Sequence, residues 1–176
     1  TTTKIYPRAL HGRSADLELA TAPQIAASMA TASDGAVPHG AAGSRLLRSN
    51  HWVHEALEAE AASFFGTESA LYFSNGFAAN VALYSTLPQR DDLIVYDALI
   101  HASVHDGILG SRARAVAVPH NNVEAVEQAI CCWREGGGKG APWIAVESLY
   151  SMDGDLAPLT ELLQLAIRHD GFLVVD

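Results

Sequence analysis

The sequence is poor in lysine and has no cluster of basic residues. Its 176 residues include 11 Lys and Arg against 20 Asp and Glu, which gives a formal net charge of −9. Lys4 and Lys139 are the two lysines. Because affinity for duplex nucleic acid comes largely from neutralising phosphates, an acidic chain without a basic run argues against a nucleic-acid partner.

Long apolar runs and spaced cysteines are also missing. No apolar stretch approaches the roughly 18 residues needed to cross a bilayer, and the first seven residues lack the apolar core of a signal peptide. Cys131 and Cys132 are adjacent, so a disulfide framework is not expected, and such sparse cysteine is typical of a reducing compartment. We therefore expect a globular cytoplasmic protein with no membrane contact.

Short apolar runs recur along the chain, with helical patterns between them. The runs are continuous rather than alternating, as in strands that are buried on both faces of a mainly parallel sheet; they cover residues 70–73, 93–96, 115–118, 143–146 and 172–175. Apolar residues at helical spacing predict helices near 22–32, 57–65, 123–133 and 159–167. This alternation predicts an α/β fold with a doubly wound, mainly parallel sheet and helices on both faces.

Polar side chains follow each of these five runs. In open α/β sheets ligands bind beyond the carboxyl ends of the strands. The polar residues at those ends include Asn75, Asp97, His101, His120, Glu147, Ser151 and Asp176. Asn75-Gly76 leads into an Ala-rich helix, whose first N–H groups and positive dipole end suit a phosphate group. A tight strand-to-helix turn explains the same two residues equally well.

Two other patterns favour ordinary structural roles. His101 and His105 stand four residues apart, but Ala102 replaces the Glu that a zinc-protease helix requires after its first His. These histidines therefore fit a helix surface better than a metal site. The glycine-rich stretch 136–140 lacks Ser or Thr after Lys139 and is interpreted as a connection rather than a P-loop. No G-x-S-x-G sequence supports a serine hydrolase.

Several stretches, in the same order along the chain, resemble motifs of the α-oxoamine synthase family. They are G-S-R-L at 43–46, H-E-A-L-E at 54–58, F-S-N-G-F-A-A-N at 73–80, D-A-L-I-H-A-S at 97–103, H-N-N at 120–122 and E-S-L-Y-S-M-D-G-D-L-A-P-L at 147–159. The resemblance implies a pyridoxal-phosphate (PLP) dependent transferase of fold type I, aspartate aminotransferase-like and incomplete. Residues 1–40 are then the amino-terminal segment of the small domain, and residues 41–176 the amino-terminal part of the PLP-binding large domain.

The resemblance also implies roles for individual residues. Asn75, Gly76 and Phe77 would hold the cofactor phosphate at a helix start. The residues near the cofactor ring would be His101 stacked on its face, Ser151 at its phenolic oxygen, Asp176 at its protonated nitrogen and Glu147 close by. The family also has a substrate-facing arginine near the amino terminus, for which Arg8 and Arg13 are both candidates.

The resemblance further implies an activity and its partners. The family joins an amino acid to an acyl-CoA with loss of CO₂ and CoA, usually as a homodimer with the active site at the subunit interface. The residues that make up these motifs favour the members that use L-alanine and pimeloyl-CoA in biotin biosynthesis over those that use glycine or serine.

The Schiff-base lysine of the family has no counterpart among these 176 residues. Covalent capture of the cofactor aldehyde needs a lysine amine, and neither Lys4 nor Lys139 is placed for that role. We therefore expect the amino-terminal part of an enzyme, inactive on its own. A non-catalytic partner subunit that lacks the lysine is the alternative from another functional class.

Overall fold

The computed structural model describes residues 43–176. Within them, residues 43–72 and residues 73–176 belong to two separate compact units. No helix in this part of the chain is long and apolar enough to cross a membrane. The helix predicted near 22–32 and the segment 1–40 assigned to a small domain lie outside the described residues, and the assignment of 41–176 to one large domain stays a prediction.

The smaller unit contains a π-helical turn, Arg45–Ser49, and the helix α1, Trp52–Phe65. The predicted helix near 57–65 is confirmed and begins earlier, at the cap formed by His51, whose side chain accepts a hydrogen bond from the Val53 N–H. Gly66 ends the helix in the left-handed conformation, at φ 63°.

The strand predicted at 70–73 is wrong, because these residues form no strand in the described structure. The Tyr72 N–H donates to the Glu58 carboxylate at 2.8 Å instead of to a neighbouring strand. Arg45 holds the same carboxylate through a 2.6 Å ion pair. The hydrogen bond from Arg45 also lowers the pKa of Glu58. The segment is therefore fixed by a side chain of α1.

The larger unit is built on a four-stranded parallel sheet. Its strands are β1 (Leu93–Asp97), β2 (Arg114–Val118), β3 (Pro142–Val146) and β4 (Phe172–Val175), in the order β2-β1-β3-β4. Leu93 is in register with Arg114 of β2 and Pro142 of β3, and Trp143 with Phe172 of β4. The other four predicted strands are confirmed.

Four helices connect and cover these strands. They are α2 (Gly76–Thr86), α3 (Ala102–Leu109), α4 (Val123–Glu135) and α5 (Leu159–Arg168). Asn75, His101 and Asn122 cap the first three, each accepting a backbone N–H with its side chain. Pro158 directly precedes α5. The predicted helices near 123–133 and 159–167 are confirmed.

Helices cover both faces of the sheet, which is why the strand sequences are continuously apolar. On one face, Ile94, Trp143, Ala145 and Val174 pack with residues of α2 and α3 such as Tyr84 and Val104. On the other face, Leu93, Val95, Ile144 and Val146 pack with residues of α4 and α5 such as Ile130 and Leu165. The prediction of a mainly parallel sheet with helices on both faces is therefore confirmed.

A close approach between α2 and α3 depends on Gly107. A Cβ atom added at Gly107 of α3 would lie 2.9 Å from the backbone oxygen of Asn80 and 2.9 Å from Cβ of Tyr84, both in α2. No larger residue fits at this separation without moving a helix. Gly107 thereby allows the close approach that brings side chains of α2 and α3 into contact near their amino ends.

Candidate functional site

Polar residues gather beyond the carboxyl ends of the strands, as the sheet topology requires. Asp176 follows β4 and is only 8% exposed. Its backbone N–H donates to the Val146 carbonyl at 2.9 Å, and its carbonyl accepts from the Ser148 N–H at 2.8 Å. Asp176 is therefore fixed beside the end of β3 by its backbone, which leaves its carboxylate to be oriented by other groups.

The start of α2 lies in the same unit. Asn75 is in the extended conformation, and its side-chain oxygen accepts from the Ala78 N–H at 2.8 Å. Gly76 is the first residue of the helix, and Phe77, the second, is 48% exposed. The first N–H groups of a helix have no acceptor within it. The structure thus places these three residues at a helix start suited to an anion, and their contact with a phosphate stays a prediction.

A buried hydrogen-bond network joins Asp176 to α2 and α3. The Asn80 Nδ2 atom donates to Asp176 Oδ2 at 2.8 Å and to Ser103 Oγ at 2.9 Å. Asn80 is 3% exposed and Ser103 is fully buried. Both hydrogens of this amide are therefore used inside the protein, one on each neighbour.

His101 stands at the other end of this network. It is exposed, it caps α3, and its Nδ1 atom accepts from the Ser103 N–H at 3.2 Å. Ser103 Oγ lies 2.7 Å from the same Nδ1. We call the connected side chains of Asp176, Asn80, Ser103 and His101 the carboxylate–imidazole network. It joins Asp176 and His101, two of the residues for which the resemblance implies contact with the cofactor ring.

The two linking residues were not identified from the sequence as functional. Asn80 lies within an Ala-rich helix although Asn is a poor helix former, and the structure buries it. A buried polar side chain requires a hydrogen-bond partner, so an Asn within this apolar helix could have indicated a specific contact. Ser103 ends the stretch 97–103 that resembles a family motif, but it gave no comparable physical signal, because a serine in the first turn of a helix is ordinary.

The remaining two predicted site residues lie in the segment after β3. Glu147 is 6% exposed, and its backbone N–H donates to the Tyr150 hydroxyl at 3.3 Å. Ser151 is exposed in the turn 151–153. Among the described residues, Ser151 makes no hydrogen bond to the carboxylate–imidazole network. Its contact with a cofactor ring and that of Glu147 stay predictions.

A second polar cluster, the Asp97 cluster, consists of Asp97, His120, Asn121 and Asp155. His120 bridges two carboxylates, with Nδ1 2.9 Å from Asp97 Oδ1 and Nε2 2.8 Å from Asp155 Oδ2. The Asn121 N–H donates to Asp97 Oδ2 at 2.8 Å, and the Leu99 N–H donates to Asp97 Oδ1 at 2.8 Å. The cluster ties together the turns that follow β1, β2 and β3.

The contacts in this cluster shift the pKa values of His120 and Asp97. The hydrogen bond that His120 donates to the Asp97 carboxylate, with a further one to Asp155, raises the pKa of His120. Burial by itself raises the pKa of Asp97, but the N–H groups of Asn121 and Leu99 together with His120 outweigh it and lower that pKa below its ordinary value. The cluster is thus held together by hydrogen bonds to its carboxylates, and it fixes the turn that leads from β1 to His101.

These residues can hold a planar, anionic heteroaromatic group. The buried Asp176 carboxylate suits a protonated ring nitrogen, the exposed His101 imidazole can lie against a ring face, and the start of α2 suits a phosphate. Within residues 43–176, no group of three or more His, Cys, Asp or Glu side chains is arranged to hold a metal ion. The carboxylate, the imidazole and the helix start together fit PLP.

Comparisons with known proteins agree with this geometry. The model of the family "Aminotransferase class I and II" matches residues 16–176. An 8-amino-7-oxononanoate synthase from Azoarcus sp. (strain BH72) is 41% identical over 162 residues, which cover 91% of this chain and 40% of that protein. The chain thus spans about two fifths of the length of this relative.

Solved structures give the same fold. A serine palmitoyltransferase from Sphingomonas wittichii is 34% identical with a TM-score of 0.79, over 90% of this chain and 39% of that one. A serine palmitoyltransferase variant from S. paucimobilis with a bound PLP–myriocin aldimine is 32% identical with a TM-score of 0.75, over 90% of this chain and 39% of that one. The predicted resemblance and the fold-type I architecture are confirmed. The chain belongs to the aminotransferase class I and II family.

Proposed function

We propose that this chain forms part of an α-oxoamine synthase that binds PLP at the carboxyl edge of the sheet. The observation that carries the proposal is the buried Asp176 carboxylate, held by Asn80 and connected through Ser103 to an exposed imidazole. The buried carboxylate suits a pyridinium nitrogen, and the start of α2 in the same unit suits a phosphate group.

In this proposal each residue has a defined task. The N–H groups at Gly76 and Phe77 bind the phosphate, and Asn75 shapes the helix start that presents them. Asp176 accepts the hydrogen on the ring nitrogen and keeps that nitrogen protonated. When bound, PLP supplies the electron-withdrawing ring that stabilises a carbanion at the amino-acid Cα.

Three further side chains orient the ring and its surroundings. His101 covers one face of the ring and shields it from water, Ser151 donates to the phenolic oxygen, and Glu147 lies next to the ring from the end of β3. Lys139 lies in the loop before β3 and so toward the amino edge of the sheet, away from the site. The proposal therefore requires a lysine amine from outside residues 43–176.

We further propose condensation of L-alanine with pimeloyl-CoA, with loss of CO₂ and CoA, in a homodimer with the site at its interface. The name 8-amino-7-oxononanoate synthase, carried by relatives at 41% and 46% identity, supports this substrate pair. Serine palmitoyltransferase is the second candidate because solved structures with that name match the fold. A glycine-using 2-amino-3-ketobutyrate CoA ligase is a third member of the same class.

A PLP titration of the protein carrying this chain, at its full encoded length, tests the cofactor site. Absorbance or fluorescence gives the Kd, and we expect Asp176→Asn to raise it at least about tenfold, since a hydrogen bond to a charged group is worth about 1.5–3 kcal/mol. Asp153→Asn, an exposed carboxyl in the turn 151–153, is the matched control and should leave the Kd unchanged. Absence of PLP binding, or an unchanged Kd for Asp176→Asn, would refute the site.

Release of free CoA tests the reaction. We expect the PLP-loaded protein to release CoA from pimeloyl-CoA with L-alanine faster than with glycine or serine. Preference for serine with a long-chain acyl-CoA would favour the serine palmitoyltransferase alternative. Tight PLP binding with no CoA release from any pair would instead favour a non-catalytic partner subunit.

A further inference from the structure

The Asn80 amide has only one orientation that satisfies its neighbours. A carboxylate oxygen accepts hydrogen bonds, so the amide nitrogen rather than its oxygen must face Asp176 Oδ2 at 2.8 Å. The same nitrogen lies 2.9 Å from Ser103 Oγ and donates its second hydrogen there. Asn80 therefore acts as a double donor, and this direction determines what Ser103 can do next.

Ser103 passes the direction of the hydrogen bonds on to His101. Because Ser103 Oγ accepts from Asn80, its own hydrogen is available for His101 Nδ1 at 2.7 Å. The Ser103 N–H donates to the same atom at 3.2 Å. With two donors aimed at Nδ1, this nitrogen is an acceptor, and the hydrogen of the neutral ring is on Nε2.

We propose that Asn80 and Ser103 are positioning residues that set the orientation of the Asp176 carboxylate and the tautomer of His101 together. Neither reaches the cofactor; Asn80 restrains rotation of the carboxylate, and Ser103 fixes the imidazole hydrogen on Nε2. Burial of Asn80 at 3% and of Ser103 at 0% exposure excludes water as a competing partner for these bonds. The inference rests on the proposed function, since both oriented groups act on PLP.

An analogue of the cofactor separates positioning from a merely structural role. In 1-deazapyridoxal phosphate a C–H group replaces the ring nitrogen, so the contact with Asp176 is absent. We expect Asn80→Ala, in the protein at its full encoded length, to raise the Kd for PLP about tenfold, equivalent to about 1.4 kcal/mol. The same variant should change the Kd for the analogue by less than about twofold.

Asn122→Ala is the matched control. Asn122 is exposed and caps α4, so its loss removes an Asn hydrogen bond and about 1 kcal/mol of stability without touching the network. Both Kd values should stay at the wild-type level in this variant. If Asn80→Ala raised the Kd for PLP and the Kd for the analogue equally, the inference would be overturned while the proposed PLP site stayed intact. Failure of the wild type to bind PLP would refute the proposed function, and the inference with it.

A measurement on the unmutated protein covers the case in which Asn80→Ala does not fold. Nitrogen-15 NMR of histidine-labelled protein distinguishes a protonated from an unprotonated ring nitrogen. We expect His101 to show an unprotonated Nδ1 and a protonated Nε2, and Ser103→Ala to reduce the population of this tautomer. A hydrogen on Nδ1 in the unmutated protein would overturn the inference whatever the result of the titrations.

Discussion

Replacing Asp97 by Asn tests how strongly the Asp97 cluster stabilises the fold. Asp97 is 3% exposed and accepts from the N–H groups of Leu99 and Asn121 and from His120 Nδ1, at 2.8, 2.8 and 2.9 Å. An amide has one acceptor oxygen. The best orientation of the new Asn side chain therefore keeps the bonds from Leu99 and His120, and it turns its NH₂ group against the Asn121 N–H.

The size of the effect follows from this count. One bond to a charged acceptor is lost outright, at about 1.5–3 kcal/mol, and two others lose their charge assistance. We therefore expect Asp97→Asn to lower the free energy of unfolding by about 3 kcal/mol, measured by urea denaturation with circular dichroism. The control Asp106→Asn changes an exposed carboxyl of α3 and should stay within about 0.5 kcal/mol. A loss below about 0.5 kcal/mol for Asp97→Asn would refute the reasoning.

The same cluster should give the protein a characteristic pH dependence. The raised pKa of His120 contributes stability that is present below the ordinary histidine pKa and is lost as pH rises through the raised value. The lowered pKa of Asp97 contributes stability that is present above the ordinary carboxyl pKa and is lost as pH falls through the lowered value. The contribution is therefore largest between about pH 4 and pH 6.5. Asp97→Asn should reduce the decline in the free energy of unfolding above that pH window. An unchanged pH profile would contradict the pairing of Asp97 with His120.

Two further predictions concern packing and use the same unfolding assay. Gly107→Ala should cost about 1–3 kcal/mol, because its Cβ would press on Asn80 and Tyr84 of α2, and it should also weaken PLP binding by separating Ser103 from Asn80. Unchanged stability would mean that α2 and α3 are not in tight contact. Ile144→Ala should lower the free energy of unfolding by about 2–5 kcal/mol, because Ile144 is fully buried in β3, one of the two interior strands. The PLP Kd of the folded variant should be unchanged. A loss under about 1 kcal/mol would contradict the described core.

The strands could be predicted from the sequence where burial on both faces determines composition. Residues 93–96 and 143–146 are apolar throughout because helices cover both faces of the sheet. The run at 70–73 has the same composition and yet forms no strand. What differs is the Glu58 carboxylate, 14 residues upstream, which accepts the Tyr72 N–H. Local periodicity contains no information about such a contact.

The site could be predicted only in part, for a related reason. Sheet topology forces the residues after parallel strands to one edge, so Asp97, His120 and Asp176 could be expected there. Helix α3 was indicated only by the spacing of His101 and His105, since its eight residues, which include Gly107, give a weak apolar pattern. The positions of Asn80 and Ser103 relative to each other depend on the α2–α3 contact at Gly107. That contact is a property of the packed fold, not of either helix.

The hydrogen bond between Asn80 and Asp176 also bears on the order of folding. It joins residues 96 positions apart and encloses all four strands of the sheet within one loop of chain. The entropy of closing so long a loop must be overcome before the contact contributes any stability, so such a contact forms late. Helix α2 can form early, but its amide finds the carboxylate only when β4 has joined the sheet. Competence to bind a ligand at this edge is therefore a property of the assembled sheet, and a ligand bound there stabilises the assembled state as a whole.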